Sequence, residues 1–211
     1  MPDLLSVIHS QRACRRFDTN GEVADSDIEK ILTAAVHAPS AENTQPWVFV
    51  VTRDEQIRGE LTRWWTETWN AGGGEWARQA IDDKHLFTDV EDGVANGGFA
   101  SAPVIVTVCV DTERVAEVHW QSSVYPAVQN LLLAASSFGY GTCLTTGLTV
   151  FGIDHVRELL KLPTSLVPLA AVYLGVPARK LAPPRRRPAG LVTFREHFGN
   201  PWTAAGRSKC P

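Results

Sequence analysis

The 211-residue sequence contains few cysteines, and they are widely spaced. The four are Cys14, Cys109, Cys143 and Cys210. No two lie close enough for a CxxC motif, the usual spacing of zinc ligands and redox dithiols, so neither kind of site is indicated. The six histidines also lack metal-ligand spacing, and we expect no metal. Isolated thiols are typical of a reducing compartment, so we expect a cytoplasmic protein.

The sequence also lacks a long apolar run and an excess of basic charge. No stretch approaches the roughly 20 consecutive apolar residues that span a bilayer. The first ten residues lack the basic and apolar regions of a signal peptide, so we expect no membrane association. The formal net charge of −3 argues against nucleic-acid binding, which needs a broad basic face. The length suits a single domain over residues 1–211.

Side chains that would break bonds themselves are not apparent. The sequence shows no Ser-His-Asp pattern, no paired carboxylates and no GxGxxG or P-loop motif. Cys14 and Cys143 are interpreted as small core residues and not as nucleophiles. If the protein is an enzyme, a bound cofactor is therefore expected to carry the chemistry.

Apolar patterns predict alternating helices and strands. Strands are predicted over 47–52, 104–110, 142–147 and 167–176, and helices over 3–10, about 26–37, 55–69, 122–138 and 154–162. Interleaved elements of this kind indicate an α/β or α+β layered fold. The nearly continuous apolar run of 47–52 predicts a central strand of the sheet.

The helix predicted over 122–138 is apolar almost all round. Such a helix must be buried on nearly every side. Burial at a subunit interface is one interpretation, and a central core helix of a monomer is the other.

Two arginine clusters lie near opposite ends of the chain. Arg12, Arg15 and Arg16 form the first, and the run Arg185–Arg187 lies in the second. The guanidinium fork suits phosphate oxygens. Each cluster alone could be a solvated surface, but the two could also converge on one phosphate.

Two further stretches are unusual for their polarity or their glycines. In "APSAENTQPW" (38–47), Asn43 and Gln45 offer donors and acceptors that suit an imide-like ring edge or a polyol chain. The alternative is an ordinary helix-to-strand connection. In "GYGTCLTTGL" (139–148), glycines allow a ligand to approach the backbone closely.

Taken together, these motifs resemble the FMN-dependent nitroreductase family. They follow the family's order along the chain as "RACRRF" (12–17), "APSAENTQPWVFVV" (38–51), "AVQNLLLAA" (127–135), "GYGTCLTTG" (139–147), "LGVPA" (174–178) and "RRRP" (185–188). The resemblance implies an α+β fold with a central, mostly antiparallel sheet flanked by helices. It also implies an obligate homodimer with FMN at two interface sites and a C-terminal tail that reaches across the partner.

The resemblance assigns cofactor contacts residue by residue. It implies phosphate contacts for Arg12 and the C-terminal arginines, a cation beside flavin N1 for Arg15, a loop beside the ring and ribityl chain, and backbone facing N5. The residues are Arg12, Ala13, Arg15, Pro39, Ser40, Asn43, Gln45, Thr146, Gly147, Arg186 and Arg187. The family's first motif usually reads Arg-Arg-Ser, whereas this chain has Gln11, Arg12 and Ala13.

The implied activity is that of an FMN oxidoreductase. NADH or NADPH reduces the flavin, which then reduces a nitroaromatic, a quinone or a similar flat acceptor by a ping-pong mechanism. No side chain is expected to be catalytic, since flavin N5 carries the hydride. Two alternatives remain open: an oxygen-using flavin dehydrogenase or oxidase of a specialised metabolite, and a flavin-binding protein without turnover.

Residues 55–100 are the part least like the family and are rich in tryptophan. At least one of Trp65, Trp69 and Trp76 is expected to roof the flavin and stack on flat substrates. Gly72–Gly74 would then be the hinge of a lid. The alternative is that these tryptophans pack into the core.

Overall fold

The computed structural model describes residues 2–202, so the predicted free thiol Cys210 lies outside the described residues. The strands are β1 (Trp47–Thr52), β2 (Val104–Asp111), β3 (Gly141–Thr145) and β4 (Leu166–Gly175). The helices are α1 (Leu4–Ser10), α2 (Asp25–Ala35), α3 (Glu55–Thr68), α4 (Gly74–Ala80), α5 (Lys84–Val94), α6 (Trp120–Ser137), α7 (Gly147–Val150) and α8 (Ile153–Leu159). None of the described helices is long and apolar enough to cross a bilayer.

The four strands form one antiparallel sheet in the order β1-β2-β4-β3. The predicted α+β fold with an antiparallel sheet is therefore confirmed. The prediction that strand 47–52 is central is wrong, because β1 lies at an edge. Most side chains of β1 are only half-buried and Val51 is 36% exposed, so its continuous apolar run did not reflect a position between two other strands.

Helices cover both faces of the sheet. Along β2, alternate side chains point to opposite faces, so Val106 joins a core with α2 and α6 whereas Ile105 joins a second core with α3, α5 and α8. This arrangement explains why β2 is buried along nearly its whole length and is mostly apolar. The second core also holds Cys14 and Phe17, which fastens the N-terminal arginine motif to the sheet.

Helix α6 buries one side within this chain. Val124, Val128 and Leu131 are fully enclosed, while Leu133 on another side is only half-buried. The chain's own core therefore accounts for much of the helix, as the monomer interpretation required. Its remaining apolar surface is still available to a second subunit.

Candidate functional site

The N-terminal arginine motif lies in an extended segment between the end of the sheet and the start of the tail. Ala13 bridges Thr142 of β3 in parallel, and the Cys14 N–H donates to the Thr142 carbonyl at 2.8 Å. On its other side, the Asp18 N–H donates to the Val176 carbonyl at 2.8 Å. The segment is therefore held in place by the backbone, and the arginine side chains project from a fixed base.

The two arginine clusters line one groove. Its volume is about 1160 Å³, and its cationic lining consists of Arg12, Arg15, Arg16, Arg179, Arg185 and Arg186. Ala13 lies in the same wall, whereas Arg187 does not line the groove. A hydrogen bond joins the tail to the first arginine cluster, since the Arg12 guanidinium donates to the Ala182 carbonyl at 3.1 Å.

Three aspartates reduce the positive charge of this groove. Asp89 of α5 accepts from Arg15 at 2.7 Å and from Arg179 at 3.2 Å, so it bridges the N-terminal motif and the tail. Asp92, one turn further along α5, pairs with both nitrogens of the Arg16 fork at 2.7 and 2.9 Å. The hydrogen bond from Arg16 lowers the pKa of Asp92.

The third aspartate, Asp83, caps the N-terminus of α5. It accepts from the backbone N–H groups of Leu86 and His85, which lower its pKa. By contrast, Arg12 and Arg186 contact only backbone carbonyls among the described residues, the latter donating to Arg185 at 3.0 Å. These guanidinium groups retain donors for an anionic ligand.

Two glycines, Gly93 in α5 and Gly98 in the turn that follows it, allow this part of the chain to approach the arginine motif. A Cβ at Gly98 would collide with the Arg15 carbonyl oxygen and would lie 2.7 Å from that of Asp92. A Cβ at Gly93 would lie 3.0 Å from the Arg15 Cβ. Their lack of side chains brings Asp89 within ion-pair distance of Arg15.

The predicted N5-facing segment begins where β3 ends. The strand stops at Thr145, so Thr146 and Gly147 form the start of the short helix α7 instead of the last residues of a strand. The Gly147 N–H donates to the Thr145 hydroxyl at 3.2 Å. Thr142, which is bonded to the arginine motif, and Thr146 are four residues apart. At the rise of a strand this separation is about 13 Å, so Thr146 lies about that far from the motif.

Trp65 covers Gly147. A Cβ there would overlap the indole ring, which stacks on exposed Phe151 with centroids 6.5 Å apart and an angle of 11°. The indole N–H of Trp65 is buried and has no acceptor among the described residues. Of the three predicted lid residues, Trp65 is the one that lies beside Gly147, whose backbone is predicted to face the flavin.

The other two predicted lid residues lie in different surroundings. Trp69 is buried in the second core against Phe87, whereas Trp76 on α4 is 70% exposed. The predicted hinge forms a π-turn over Trp69–Gly73, in which Gly72 has a φ of 131°. Gly74 packs under Trp69, since a Cβ there would lie 2.7 Å from the indole nitrogen.

The polar loop before β1 is held in an unusual backbone conformation. Glu42, Asn43 and Gln45 have φ values of 54°, 55° and 49°. Such left-handed conformations of non-glycine residues cost of order 1–3 kcal/mol each and cluster at functional sites. The Ser40 hydroxyl accepts from the Gln45 N–H at 2.9 Å, so Ser40 braces the loop. Asn43 and Pro39 are exposed.

Within one chain, this loop lies far from the arginine groove. Trp47 pairs with Val110 and through it with Val167, whereas Thr142 pairs with Leu174. The two regions are thus seven residues apart along β4 and three strands apart across the sheet. These spacings correspond to about 24 Å and about 14 Å, so the regions occupy opposite corners.

The sequence did not identify the acidic partners of the groove or Arg179. Asp89 and Asp92 are three residues apart, which places them on one face of a helix, and that spacing was visible. Their arginine partners could not be inferred from the sequence, because they lie more than 70 residues away along the chain. Arg179 directly follows the "LGVPA" motif, and that adjacency was its only signal.

Comparison with known families adds a match over most of the chain. The model of the Nitroreductase family matches residues 8–176. A protein of Archaeoglobus fulgidus named as an NADH dehydrogenase/NAD(P)H nitroreductase is 30% identical over 181 residues, covering 84% of this chain and 87% of that protein. An NADH dehydrogenase of Thermus thermophilus is 29% identical over 205 residues, covering 91% and 95%.

Solved structures with the same fold are also found. The crystal structure of a nitroreductase with bound FMN from Desulfitobacterium hafniense superposes with a TM-score of 0.70 at 22% identity. The match covers 93% of this chain and all of that chain. At this identity the likeness establishes the shared fold.

Proposed function

The chain belongs to the nitroreductase family, as its motifs predicted, and from this premise we propose that it is an NAD(P)H-dependent FMN oxidoreductase. The observation that carries the proposal is the convergence of two arginine clusters, from opposite ends of the chain, on one groove. Convergent guanidinium groups suit a single terminal phosphate.

The donors in the groove fit FMN. Arg12 and Arg186 have donors left for a phosphate, and Arg186 would supply part of what the arginine and the hydroxyl missing from the first motif would have supplied. The groove volume is ample for a cofactor of this size. Gly147 and the unpaired indole N–H of Trp65 do not line this groove, and they would border the flavin ring. Ala13 would contribute backbone only, and Arg187 would approach the phosphate only if the tail moved.

When bound, FMN would accept hydride from NADH or NADPH and pass electrons to a flat acceptor. The chain's own contribution is to bind, orient and supply charge. Arg15 carries positive charge to the inner wall of the groove, where it would stabilise negative charge that develops near flavin N1. Such a site requires no general acid–base pair, which agrees with the sequence.

We further propose a homodimer with two composite sites. The loop containing Pro39, Ser40, Asn43 and Gln45 lies at the corner opposite the arginine groove, so it would complete the groove of a second copy. The chain also exposes apolar side chains that suit an interface: Leu4 and Leu5 on α1, and Phe198 and Trp202 in the tail. Exposed apolar clusters of this kind commonly mark interfaces.

The acceptor is proposed to be a nitroaromatic, a quinone or a similar flat molecule. The Trp65–Phe151 stack offers aromatic surface next to Gly147. Because donor and acceptor would use the same space in turn, ping-pong kinetics are expected, with parallel lines in double-reciprocal plots.

The test begins with the absorption spectrum of the purified protein, reconstituted with FMN if colourless, and with chromatography of the acid-released cofactor. Anaerobic mixing with NADH and NADPH should then bleach the flavin rapidly. FAD in place of FMN, or no flavin after reconstitution, would contradict the cofactor assignment. Bound FMN that resists both nucleotides but turns over oxygen with a metabolite would favour an oxidase, and bound FMN with no turnover would favour a sequestering protein.

A further inference from the structure

Asp89 occupies a distinctive position in the groove. It is the carboxylate that joins Arg15, from the N-terminal motif, to Arg179, at the start of the tail. The side chains of Arg15 and Asp89 are only 15% and 23% exposed, whereas Arg179 is 76% exposed. The inner pair is therefore partly shielded from water, where charge interactions are screened less.

We propose that Asp89 is a positioning residue that sets the reduction potential of FMN through Arg15. The proposal rests on the proposed function, because it requires FMN in the groove with Arg15 near N1. Asp89 has two effects on Arg15. The 2.7 Å bond fixes the guanidinium orientation, and the negative charge offsets part of the positive field that Arg15 presents.

The sign of the effect follows from the charges. Reduction adds negative charge near N1, so a more positive wall favours the reduced form. Asp89→Asn removes one negative charge from that wall and should raise the potential. Arg179→Gln removes one of the two cations that Asp89 binds, leaves the carboxylate less neutralised, and should lower the potential. Because Arg179 also lines the groove, part of its shift would come from the loss of its own charge, so the upward shift of Asp89→Asn is the result that a purely structural role of Asp89 does not predict.

The helix offers a matched control. Asp92 lies on α5 one turn beyond Asp89, carries the same charge and also binds an arginine, but its partner is Arg16 and both groups are more exposed. Asp92→Asn therefore makes the same chemical change on the same element without touching Arg15. Asp89→Glu keeps the charge and tests whether the conservative variant restores the potential.

The experiment is redox titration of the FMN-loaded proteins against reference dyes, together with the dissociation constant of oxidised FMN. For Asp89→Asn we expect the ratio of reduced to oxidised FMN affinity to rise about tenfold, which is about 30 mV for a two-electron couple. Arg179→Gln should shift the potential in the opposite direction, Asp89→Glu should lie near the unmodified protein, and Asp92→Asn should shift it clearly less than Asp89→Asn.

Each outcome decides the proposal. A folded, FMN-loaded Asp89→Asn protein with an unchanged or lower potential would overturn it, as would equal shifts for Asp89→Asn and Asp92→Asn. If Asp89→Asn fails to fold or to bind FMN, the absence of a downward shift in Arg179→Gln overturns it instead. Failure of the unmodified protein to bind FMN, or of bound FMN to be reduced by NADH or NADPH, would refute the proposed function itself.

Discussion

Arg15 and Arg186 line the same groove but meet different partners, and their substitution should have different consequences. A phosphate is charged in every state, so loss of Arg186 weakens all states equally. Negative charge near flavin N1 appears only on reduction, so loss of Arg15 acts selectively. A charge-assisted contact contributes about 1.5–3 kcal/mol, and about 1.4 kcal/mol is a tenfold change.

We therefore expect Arg15→Ala to slow flavin reduction by about ten- to a hundredfold. Arg186→Ala should raise the FMN dissociation constant by a similar factor and leave the rate at saturating FMN nearly intact. Stopped-flow reduction and flavin titration of both variants measure these effects. Loss of affinity alone in Arg15→Ala, or of rate alone in Arg186→Ala, would show that the two roles are misplaced.

A second prediction at the residue scale concerns the reactivity of the buried cysteines. Burial raises the pKa of Cys109 and of Cys143 to about 12. At pH 8 the reactive thiolate is then about one part in ten thousand of each thiol. The folded protein should leave both residues unmodified by N-ethylmaleimide, and urea-unfolded protein should react fully. Peptide mapping by mass spectrometry distinguishes the two, and rapid labelling of folded Cys143 would refute its enclosure.

At the residue scale, the sequence predicted the arginines of the groove except Arg179, and it did not predict the aspartates that they bind. A guanidinium has a recognisable chemistry, so clusters such as Arg12, Arg15 and Arg16 stand out. The pairing of Arg15 with Asp89 depends on how α5 packs, and packing across 74 residues leaves no local pattern.

At the scale of elements, the approach of α5 to the arginine motif depends on Gly98. An alanine Cβ there would meet the backbone carbonyl oxygens of Arg15 and Asp92, neither of which can rotate away. Overpacking of this kind costs about 1–3 kcal/mol. We expect Gly98→Ala to lower the free energy of unfolding by at least that amount.

Gly59→Ala is the control for this prediction. Gly59 lies inside helix α3, and a Cβ there would meet nothing within 4 Å. Since alanine is a better helix former than glycine, this variant should gain about 0.5–1 kcal/mol. Urea unfolding of both variants measures the contrast, and a Gly98→Ala protein as stable as the original would show that α5 has room to shift.

Most element types were predictable because the apolar period of a helix differs from that of a strand, but the helices α4, α5 and α7 were not predicted. The order of the strands was not, and β1 illustrates why. Its apolar run fitted a central strand, yet it lies at the edge of the sheet. The tryptophans show the same limit, since Trp69 in the core and exposed Trp76 belong to one similar stretch of sequence.

At the scale of the whole molecule, the exposed apolar side chains of α1 and of the tail predict a dimer. Leu4 and Leu5 are more than 60% exposed, and Phe198 is 92% exposed. A second copy that covers them should make folding and association inseparable. Light scattering at micromolar concentration should give twice the chain mass, and unfolding should depend on protein concentration. A stable monomer loaded with FMN would refute this prediction.

The opposite-corner placement of the arginine groove and the Asn43 loop has a genetic consequence. Consider one allele with Arg12→Ala and another with Asn43→Ala. Each homodimer would carry a lesion in both of its sites, but a hybrid dimer would carry both lesions in one site and none in the other. With random pairing, about a quarter of all sites would be intact. The two defective alleles should therefore complement each other when expressed together, whereas two alleles altered in the same corner should not.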